Sequence, residues 1–274
     1  MSLKHLLVHL DGGPRAVVRL DLAIALAQKY GARLTGLFAQ SETSGPSLVA
    51  RRASDHLRET AQKIQSLFAI KTAEARIPGQ WWQLGHGEYS HVVGETVFCC
   101  RYADLAIIGQ HDPNTEGNKV PHELVEEIIL QSGRPALVIP YTGDYPSFGQ
   151  RVVVAWNGSR EAARALNDAI PLMQHASSVV VLALHEHHPS NDDDVVPPVD
   201  IAAHLAAHGI RAHLERMVVE GMAPMDVVLS RCSDESADLL VMGGHGNYGF
   251  PFLHRGGNTR HILRQMTLPV LMSN

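Results

Sequence analysis

The sequence predicts an α/β protein made of two tandem domains, each a doubly wound parallel sheet of five strands. Three observations lead to this fold class. The chain has 274 residues, which suits two domains of about 135 residues each. Val- and Leu-rich runs without polar alternation are separated by helical patterns, as in parallel sheets that are covered on both faces. The pattern of the first half also returns in the second half.

The repeat begins at the first strand of each half. Residues 6–13 and 152–159 are apolar runs that end in an acid or amide, then glycine, then a small residue. Their offset is 146 residues (157 minus 11). The segment after each run places apolar residues at the same helical spacing in both halves. Both halves therefore open with a strand and an amphipathic helix.

A second matching pair comes later, where residues 103–111 correspond to residues 237–245 at an offset of 134 (243 minus 109). The change of offset puts about a dozen extra residues into the middle of the first half, either at 77–88 or in a longer second helix. We assign residues 1–142 to the first domain and 150–274 to the second, with a linker at 141–150. Because this linker is short, we expect the two domains to pack as an internal pseudo-dimer.

Within the second half, strands and helices alternate, which predicts a parallel sheet with helices on both sides. The predicted strands are 151–156, 177–184, 211–219, 238–243 and 269–273. The predicted helices are 160–175, 198–209, 222–236 and 258–266. The aspartates that precede the fourth strand of each half, Asp104 and Asp238, are expected to bind backbone groups.

Composition and charge exclude several classes of function. The net charge of -5 and the pI near 6.4 argue against a general nucleic-acid or membrane-surface binder. No apolar run is long enough for a transmembrane helix, and the first residues do not resemble a signal peptide. Cys99, Cys100 and Cys232 show no disulfide spacing, which is typical of a reduced cytoplasmic protein.

The glycine-rich segment after the fourth strand of the second half is the main candidate site. A strand that ends in glycines and reopens as a helix can hold phosphate, because backbone N–H groups then approach and face the anion. The first strand of this half ends at Asn157 and Gly158, whose groups can hydrogen-bond a ribose or a base. If the two strands are neighbours, both ends face one crevice. The predicted binding residues are Asn157, Gly158, Gly243, His245, Gly246, Gly256, Gly257 and Asn258.

These motifs resemble those of tandem universal stress proteins. The nucleotide motif of that family is Gly, two residues, Gly, nine residues, Gly, then Ser or Thr, and Gly243, Gly246 and Gly256 fit this spacing. The resemblance covers both halves. It implies a Rossmann-like fold of the adenine nucleotide alpha hydrolase type, ATP, with or without Mg²⁺, as the ligand, and dimerisation through the last strands.

The chain departs from the family motif at two places in the second half and more strongly in the first. Gly257 stands where the family has a hydroxyl residue, which Asn258 or Thr259 could replace. Asn157 stands where the family has a carboxylate. In the first half Asp11 is retained, but the offset of 134 places Asp112 opposite Gly246 and His122 opposite Gly256. Because a carboxylate repels phosphate, we expect ATP in the second half only.

Other candidates have plainer interpretations. His111 and His245 recur at matching positions and are interpreted as loop-stabilising imidazoles. His185, His187 and His188, followed by the acidic run at 192–194, form the best histidine cluster, but we interpret it as a solvated loop rather than a zinc site. Trp81 and Trp82 are interpreted as packing or interface residues.

The sequence contains no nucleophile elbow, no Walker lysine and no paired acids at useful spacing, so we expect at most slow ATP hydrolysis. The leading interpretation is a cytoplasmic stress or regulatory protein that binds an adenine nucleotide and either forms a homo-oligomer or has another protein partner. A second interpretation is an interaction scaffold in which both sites are silent. A third, an adenylating or sulfur-transferring enzyme, would need a lysine or cysteine near the loop. The inducing stress and the partner cannot be identified from these residues.

Overall fold

The computed structural model describes residues 3–43, 51–113, 119–145, 148–185, 200–218, 223–245 and 257–274. The chain forms two compact units, residues 2–146 and 147–274. Their division falls inside the segment 141–150 that the sequence predicts as a linker. None of the described helices is long and apolar enough to span a bilayer.

The described residues of the first unit form five strands that alternate with four helices. The strands are β1 (His5–Leu10), β2 (Arg33–Phe38), β3 (Gly79–Gln83), β4 (Leu105–Gly109) and β5 (Ala136–Ile139). The helices are α1 (Ala16–Tyr30), α2 (Asp55–Glu74), α3 (Tyr89–Cys100) and α4 (Leu124–Gln131). All neighbouring strands are parallel, in the order β3-β2-β1-β4-β5. The chain therefore adds strands on one side of β1 and then returns to its other side.

The second unit repeats this arrangement. Its strands are β6 (Arg151–Trp156), β7 (Ser178–His185), β8 (His213–Val218), β9 (Leu239–Gly243) and β10 (Val270–Ser273). Its helices are α5 (Arg160–Met173), α6 (Ile201–Ala207), α7 (Pro224–Asp234) and α8 (Gly257–Gln265). The sheet is parallel with the order β8-β7-β6-β9-β10. The predicted fold class of two tandem, doubly wound, five-stranded sheets is confirmed.

The extra residues of the first half lie in its second helix. Helix α2 has 20 residues, whereas α6, at the same place in the second unit, has 7. The other candidate segment, 77–88, contains the regular strand β3, whose counterpart is β8. The insertion thus lengthens a helix that follows β2 and leaves the order of the strands unchanged.

Two details of the packing agree with the sequence interpretation. The Asp104 carboxylate accepts the backbone N–H groups of Lys4 and His5 at 2.8 and 2.9 Å, and the Asp238 carboxylate accepts those of Gln150 and Arg151 at the matching place. Each aspartate thereby holds the start of the first strand of its sheet against the start of the fourth.

Trp81 lies among apolar side chains, as predicted. Its ring stacks on Phe38 at a centroid distance of 6.4 Å and lies 5.6 Å from the ring of Phe68. This cluster joins β2 and β3 to the long helix α2, and it also contains Leu57 and Ala61. The tryptophan is therefore a packing residue of the first unit.

Candidate functional site

The crevice of the second unit lies where the winding direction of its sheet reverses. From β6 the chain passes through α5 to β7 on one side, and after β8 it returns through α7 to β9 on the other side. Strands β6 and β9 are hydrogen-bonded neighbours, with Val152 opposite Leu239 and Ala155 opposite Met242. Ligands of doubly wound sheets bind beyond the carboxyl ends of two such strands. The condition under which the two strand ends face one crevice is therefore met.

A tight turn connects β6 to α5. The side-chain oxygen of Asn157 accepts the N–H of Ser159 at 3.1 Å, and Gly158 has a φ of +72°, which favours glycine. The hydroxyl of Ser159 accepts the N–H of Ala162 at 3.1 Å and caps α5. The Asn157 oxygen thus shapes the turn, and its amide nitrogen is the group that can donate to a ligand.

Gly243, at the end of β9, packs closely against the first turn of α5. A Cβ at this position would lie 2.6 Å from the backbone nitrogen of Ala162 and 2.9 Å from the Cβ of Glu161. No backbone atom can yield such space cheaply, so only glycine fits. This contact gives Gly243 a packing role, and it brings the end of β9 next to the Asn157 turn.

Three hydrogen bonds tie the start of the glycine-rich loop to elements that follow it. The N–H of Gly244 donates to the carbonyl of Ser273 at 2.8 Å, and the side chain of Asn274 donates to the carbonyl of Gly244 at 2.8 Å. The N–H of His245 donates to the hydroxyl of Thr259 on α8 at 2.7 Å. The loop therefore begins beside the first turn of the helix to which it leads. Gly246 and Gly256 lie outside the described residues.

Helix α8 begins at Gly257 and Asn258. The position of Gly257 is exposed and has no atom within 4 Å of a Cβ built on it. Thr259 is buried, and its hydroxyl accepts the His245 N–H, so it serves the fold rather than replacing the missing hydroxyl of the motif. Of the two replacements that the sequence suggested, only Asn258 keeps a side chain that is partly exposed.

The corresponding crevice of the first unit is filled by its own side chains. The guanidinium of Arg19, on α1, forms a buried ion pair with Asp11 at the end of β1 and donates to the carbonyl of His9 at 3.1 Å. Arg19 also lies against Gly109 at the end of β4, where a Cβ would be 2.6 Å from a guanidinium nitrogen. This side chain therefore closes the gap between the ends of β1 and β4.

Backbone donors of the first crevice are also engaged within the unit. The N–H of Gly12 donates to the side-chain oxygen of Gln40 at 2.8 Å, and the N–H of Gly13 donates to the Asp11 carboxylate at 2.5 Å. Burial alone would raise the pKa of Asp11, but the neighbouring Arg19 and His9 and the Gly13 N–H lower it. Asp11 is thus a buried carboxylate held ionised by Arg19, and it belongs to a closed network.

At the place where a phosphate would enter the first unit, polar side chains bond to one another. The hydroxyl of Tyr89 contacts His122 at 3.0 Å and donates to the carboxylate of Glu123. His122 lies 3.0 Å from the same carboxylate, and the rings of His111 and His122 meet edge to face. This cluster covers the first turn of α4, the counterpart of α8. His111 stands within a cluster of side chains, whereas His245 donates its backbone N–H to Thr259.

Arg19 is the functional determinant that sequence reasoning missed. It stands between the apolar residues of α1, on the face that is buried against the sheet, and its counterpart at an offset of 146 is Ala165. A lone arginine on a buried helix face needs an acidic partner. Asp11, eight residues earlier at a strand end, was the signal in the sequence that could have identified the pair.

Other sequence candidates contribute little to either crevice. The described residues contain no group of three His, Cys, Asp or Glu side chains that could hold a metal ion. The histidine and aspartate run after β7 lies outside the described residues. Cys232 is buried, and burial raises its pKa to about 12, so its thiol is protonated at neutral pH.

Comparison with known proteins agrees with this geometry. Residues 149–274 match the family described as the universal stress protein family. The second half of the chain is a universal stress protein domain. No curated protein matches the sequence.

Solved structures extend the likeness of fold to the whole chain. A universal stress protein from Archaeoglobus fulgidus DSM 4304 is 17% identical, with a TM-score of 0.73 and 98% of both chains covered. A putative universal stress protein from Pseudomonas aeruginosa UCBPP-PA14 is 16% identical, with a TM-score of 0.63, over 99% of this chain and 93% of that one. A functionally unknown protein from P. aeruginosa PAO1 is 15% identical, also with a TM-score of 0.63, over 99% and 92%. The fold of the whole chain thus recurs in other chains of similar length.

Proposed function

We propose that this protein is a cytoplasmic regulatory protein of the stress response that binds one ATP in its second half and has no dedicated catalytic activity. The observation that carries the proposal is that the end of β6, the end of β9 and the start of α8 lie next to one another. The glycine-ended strand β9 packs on the first turn of α5, and its loop is hydrogen-bonded to α8 at the residue after Asn258. The proposal rests on this geometry together with the spacing of Gly243, Gly246 and Gly256.

Each part of the site has a role in this proposal. The N–H groups of the first turn of α8 hold the phosphates, because the first N–H groups of a helix have no partner within it and carry the positive end of the helix dipole. The glycines of the loop let the backbone approach the phosphates closely. The amide nitrogen of Asn157 donates to the ribose or base at the end of the neighbouring strand. Gly158, with its positive φ, lets the turn pass close to the nucleotide without a side chain.

The residues present do not fit a magnesium ion held by the protein. The carboxylate of the family motif is replaced by Asn157, whose only oxygen ligand already accepts the Ser159 N–H. Mg²⁺ prefers carboxylate and phosphate oxygens. Any metal would therefore be bound by the phosphates of the nucleotide.

The proposed absence of dedicated catalysis follows from the groups that surround the crevice. Its described part offers a side-chain amide, a capping hydroxyl and backbone N–H groups, which bind but do not exchange protons at neutral pH. It also contains one imidazole, that of His245, which we interpret as stabilising the loop. Glu161 is the nearest described carboxylate of α5, and its side chain accepts from Arg160 at 2.5 Å. Burial opposes its ionisation, but the hydrogen bond from Arg160 lowers its pKa, so it is a poor proton donor at neutral pH.

The alternative is an interaction scaffold without a nucleotide. The buried pair of Asp11 and Arg19 supports this alternative, because the first unit already occupies its strand-end crevice with its own side chains. Gly257 removes one hydroxyl from the other crevice.

The two functions are distinguished by direct measurement on the full chain. Purified protein is denatured and its extract analysed for nucleotides, and nucleotide-free protein is titrated with ATP by calorimetry. The proposal predicts saturation at one ATP per chain. Two equivalent sites would contradict the assignment to the second half, and no heat of binding together with an empty extract would favour the scaffold.

A further inference from the structure

We propose that the chain forms a two-fold symmetric dimer through an exposed aromatic patch at the C-terminal end of α3 and on α4 of its first half. The patch consists of Phe98, Tyr102 and Leu130, which are 47%, 58% and 42% exposed. The rings of Phe98 and Tyr102 meet edge to face with centroids 5.4 Å apart. Large apolar side chains that are exposed side by side mark interaction surfaces.

Basic groups border the patch and join its two helices. The guanidinium of Arg101 lies 5.9 Å from the ring centroid of Phe98 and donates to the carbonyl of Gln131 at 3.3 Å, next to Leu130. Arg134 donates to the carbonyl of Arg101 at 3.1 Å. The ends of α3 and α4 are therefore held together, and the patch is presented on a firm base.

The second half of the same chain provides an internal comparison. At the offset of 134, Tyr102 corresponds to Ser236 and Leu130 to Arg264, which are both exposed. Phe98 corresponds to Cys232, which is buried. The same helix pair is thus polar in the second unit and aromatic in the first. An ordinary solvent-facing surface of this fold does not need these apolar side chains.

The charges on α3 indicate a second copy of the chain as the occupant. A two-fold axis near Phe98 makes the two copies of α3 antiparallel, so a residue three positions after Phe98 faces the residue three positions before it. Arg101 then faces Glu95 of the partner subunit, which has the opposite charge. Tyr102 similarly faces Gly94 of the partner subunit, and Gly94 is exposed with no atom within 4 Å of a Cβ built there. The surface is complementary to itself in charge and in shape, as an isologous interface requires.

The molar mass of the full chain tests the dimer. Light scattering after gel filtration over about a hundredfold range of concentration should show a rise from monomer to dimer. The variant Tyr102→Ser/Leu130→Arg places the residues of the second unit on the patch. It should raise the dissociation constant of the dimer by about tenfold or more, because exposed aromatic anchors carry most of the affinity of such interfaces.

Two controls make the result specific. Ile70→Ser removes an apolar side chain that is 57% exposed on α2 and should leave the mass unchanged. Arg101→Glu and Glu95→Arg should each weaken the dimer, and the double variant Arg101→Glu/Glu95→Arg should restore it, because both charges then reverse together. Circular dichroism melting checks that each variant is folded.

Any of three results would overturn the proposal. The wild-type chain could remain monomeric throughout, the dimer could persist unchanged in Tyr102→Ser/Leu130→Arg, or Ile70→Ser could weaken it as strongly as that variant does. Failure of the double charge reversal to recover the dimer would exclude the two-fold register at Phe98. None of these outcomes depends on ATP binding.

Discussion

The two strand-end crevices of this protein have the same architecture and opposite contents. In the first unit, Asp11 at the end of β1 is paired with Arg19 from α1, and both side chains are buried. In the second unit, the matching positions are Asn157 and Ala165, at an offset of 146. An acid and an arginine have thus been exchanged for an amide and a methyl group. The same fold therefore carries a buried charged pair at this strand end in one half and lacks both charges at the matching positions in the other.

The same contrast holds at the second strand end and at the helix that follows it. Gly109 of β4 faces the Arg19 guanidinium, whereas Gly243 of β9 faces the backbone of α5. The first turn of α4 is covered by the cluster of Tyr89, His122 and Glu123, while Gly257 at the start of α8 is open. We infer that the first half contributes to stability and to dimer formation, whereas the second half binds the nucleotide.

Removing the arginine of the closed crevice should have the largest effect. Arg19→Ala leaves the Asp11 carboxylate buried without its partner, which costs about 3–5 kcal/mol of unfolding free energy. Urea unfolding followed by tryptophan fluorescence measures this loss. In a Trp156→Phe background the signal comes from Trp81 and Trp82, which are both in the first unit.

The matched control copies the second half into the first. Asp11→Asn/Arg19→Ala removes both charges, and Asn at position 11 can still accept the Gly13 N–H, as Asn157 accepts that of Ser159. We expect this double variant to be more stable than Arg19→Ala alone. Equal loss in both variants would mean that Arg19 acts through packing and not through its charge.

Lowering the pH should reduce the unfolding free energy of the first unit more than that of the second, because the first unit contains the buried His9. Burial lowers the pKa of His9 to about 4, and its ring bonds the carbonyl of Ala39 at 2.7 Å. The folded state keeps His9 neutral, whereas the unfolded chain takes up a proton below about pH 6.5. Its contribution, about 3 kcal/mol, is therefore complete above pH 6.5 and is lost as the pH falls towards 4.

Unfolding of the first unit as a function of pH checks this expectation. His9→Gln keeps a donor for the Ala39 carbonyl but does not titrate, so its stability should fall less between pH 6.5 and 4. His5, whose pKa is lowered by burial and by Arg33, adds to the loss in the same direction. A wild-type stability that stays constant over this range would contradict a neutral, buried His9.

ATP affinity should respond to a carboxylate in the glycine loop. Gly246→Asp introduces the aspartate that the first half has at the matching position, Asp112. It adds a negative charge near the phosphates. We expect a loss of affinity from several-fold to about a hundredfold, corresponding to about 1–3 kcal/mol. Calorimetric titration of the full chain measures it.

A glycine in the first unit provides the control for net charge. Gly85 is exposed, and a Cβ at this position would meet no atom within 4 Å, so an aspartate fits there. Gly85→Asp adds the same charge to the chain but at a position distant in sequence from the loop. It should leave ATP affinity unchanged. If Gly246→Asp also binds ATP as the wild type does, the loop is not the phosphate site and the scaffold becomes the better hypothesis.

Most of the fold could be predicted from the sequence because the same pattern of strands and helices occurs in both halves. The strand 151–156 was predicted with the bounds that the structure gives, and α8 was predicted at 258–266 against Gly257–Gln265. These features are local, and they depend on apolar periodicity and turn residues that a single segment carries.

The closed crevice could not be predicted in the same way because it depends on contacts distant in sequence. Arg19 reaches Gly109, 90 residues away (109 minus 19), and the N–H of Gly12 donates to the side chain of Gln40, which follows β2. Asp112 and His122 predicted a silent first half, but the sequence pattern did not identify the side chain that fills the space. Thr259 was a candidate ligand residue, whereas the fold uses its hydroxyl for the His245 N–H.

Restoring the hydroxyl of the family motif in the second crevice should change ATP affinity only slightly. Gly257→Ser restores the hydroxyl of the family motif at the start of α8. A Cβ at position 257 meets no atom within 4 Å, and no positive φ restricts this residue, so the side chain fits without strain. The added hydroxyl can donate to a phosphate oxygen, which should improve ATP affinity by about 0.5–1.5 kcal/mol. Gly257→Ala has the same backbone constraint without the hydroxyl and serves as the control in the titration. If serine and alanine bind ATP equally, the hydroxyl does not reach the nucleotide, and the phosphates are held by backbone N–H groups alone.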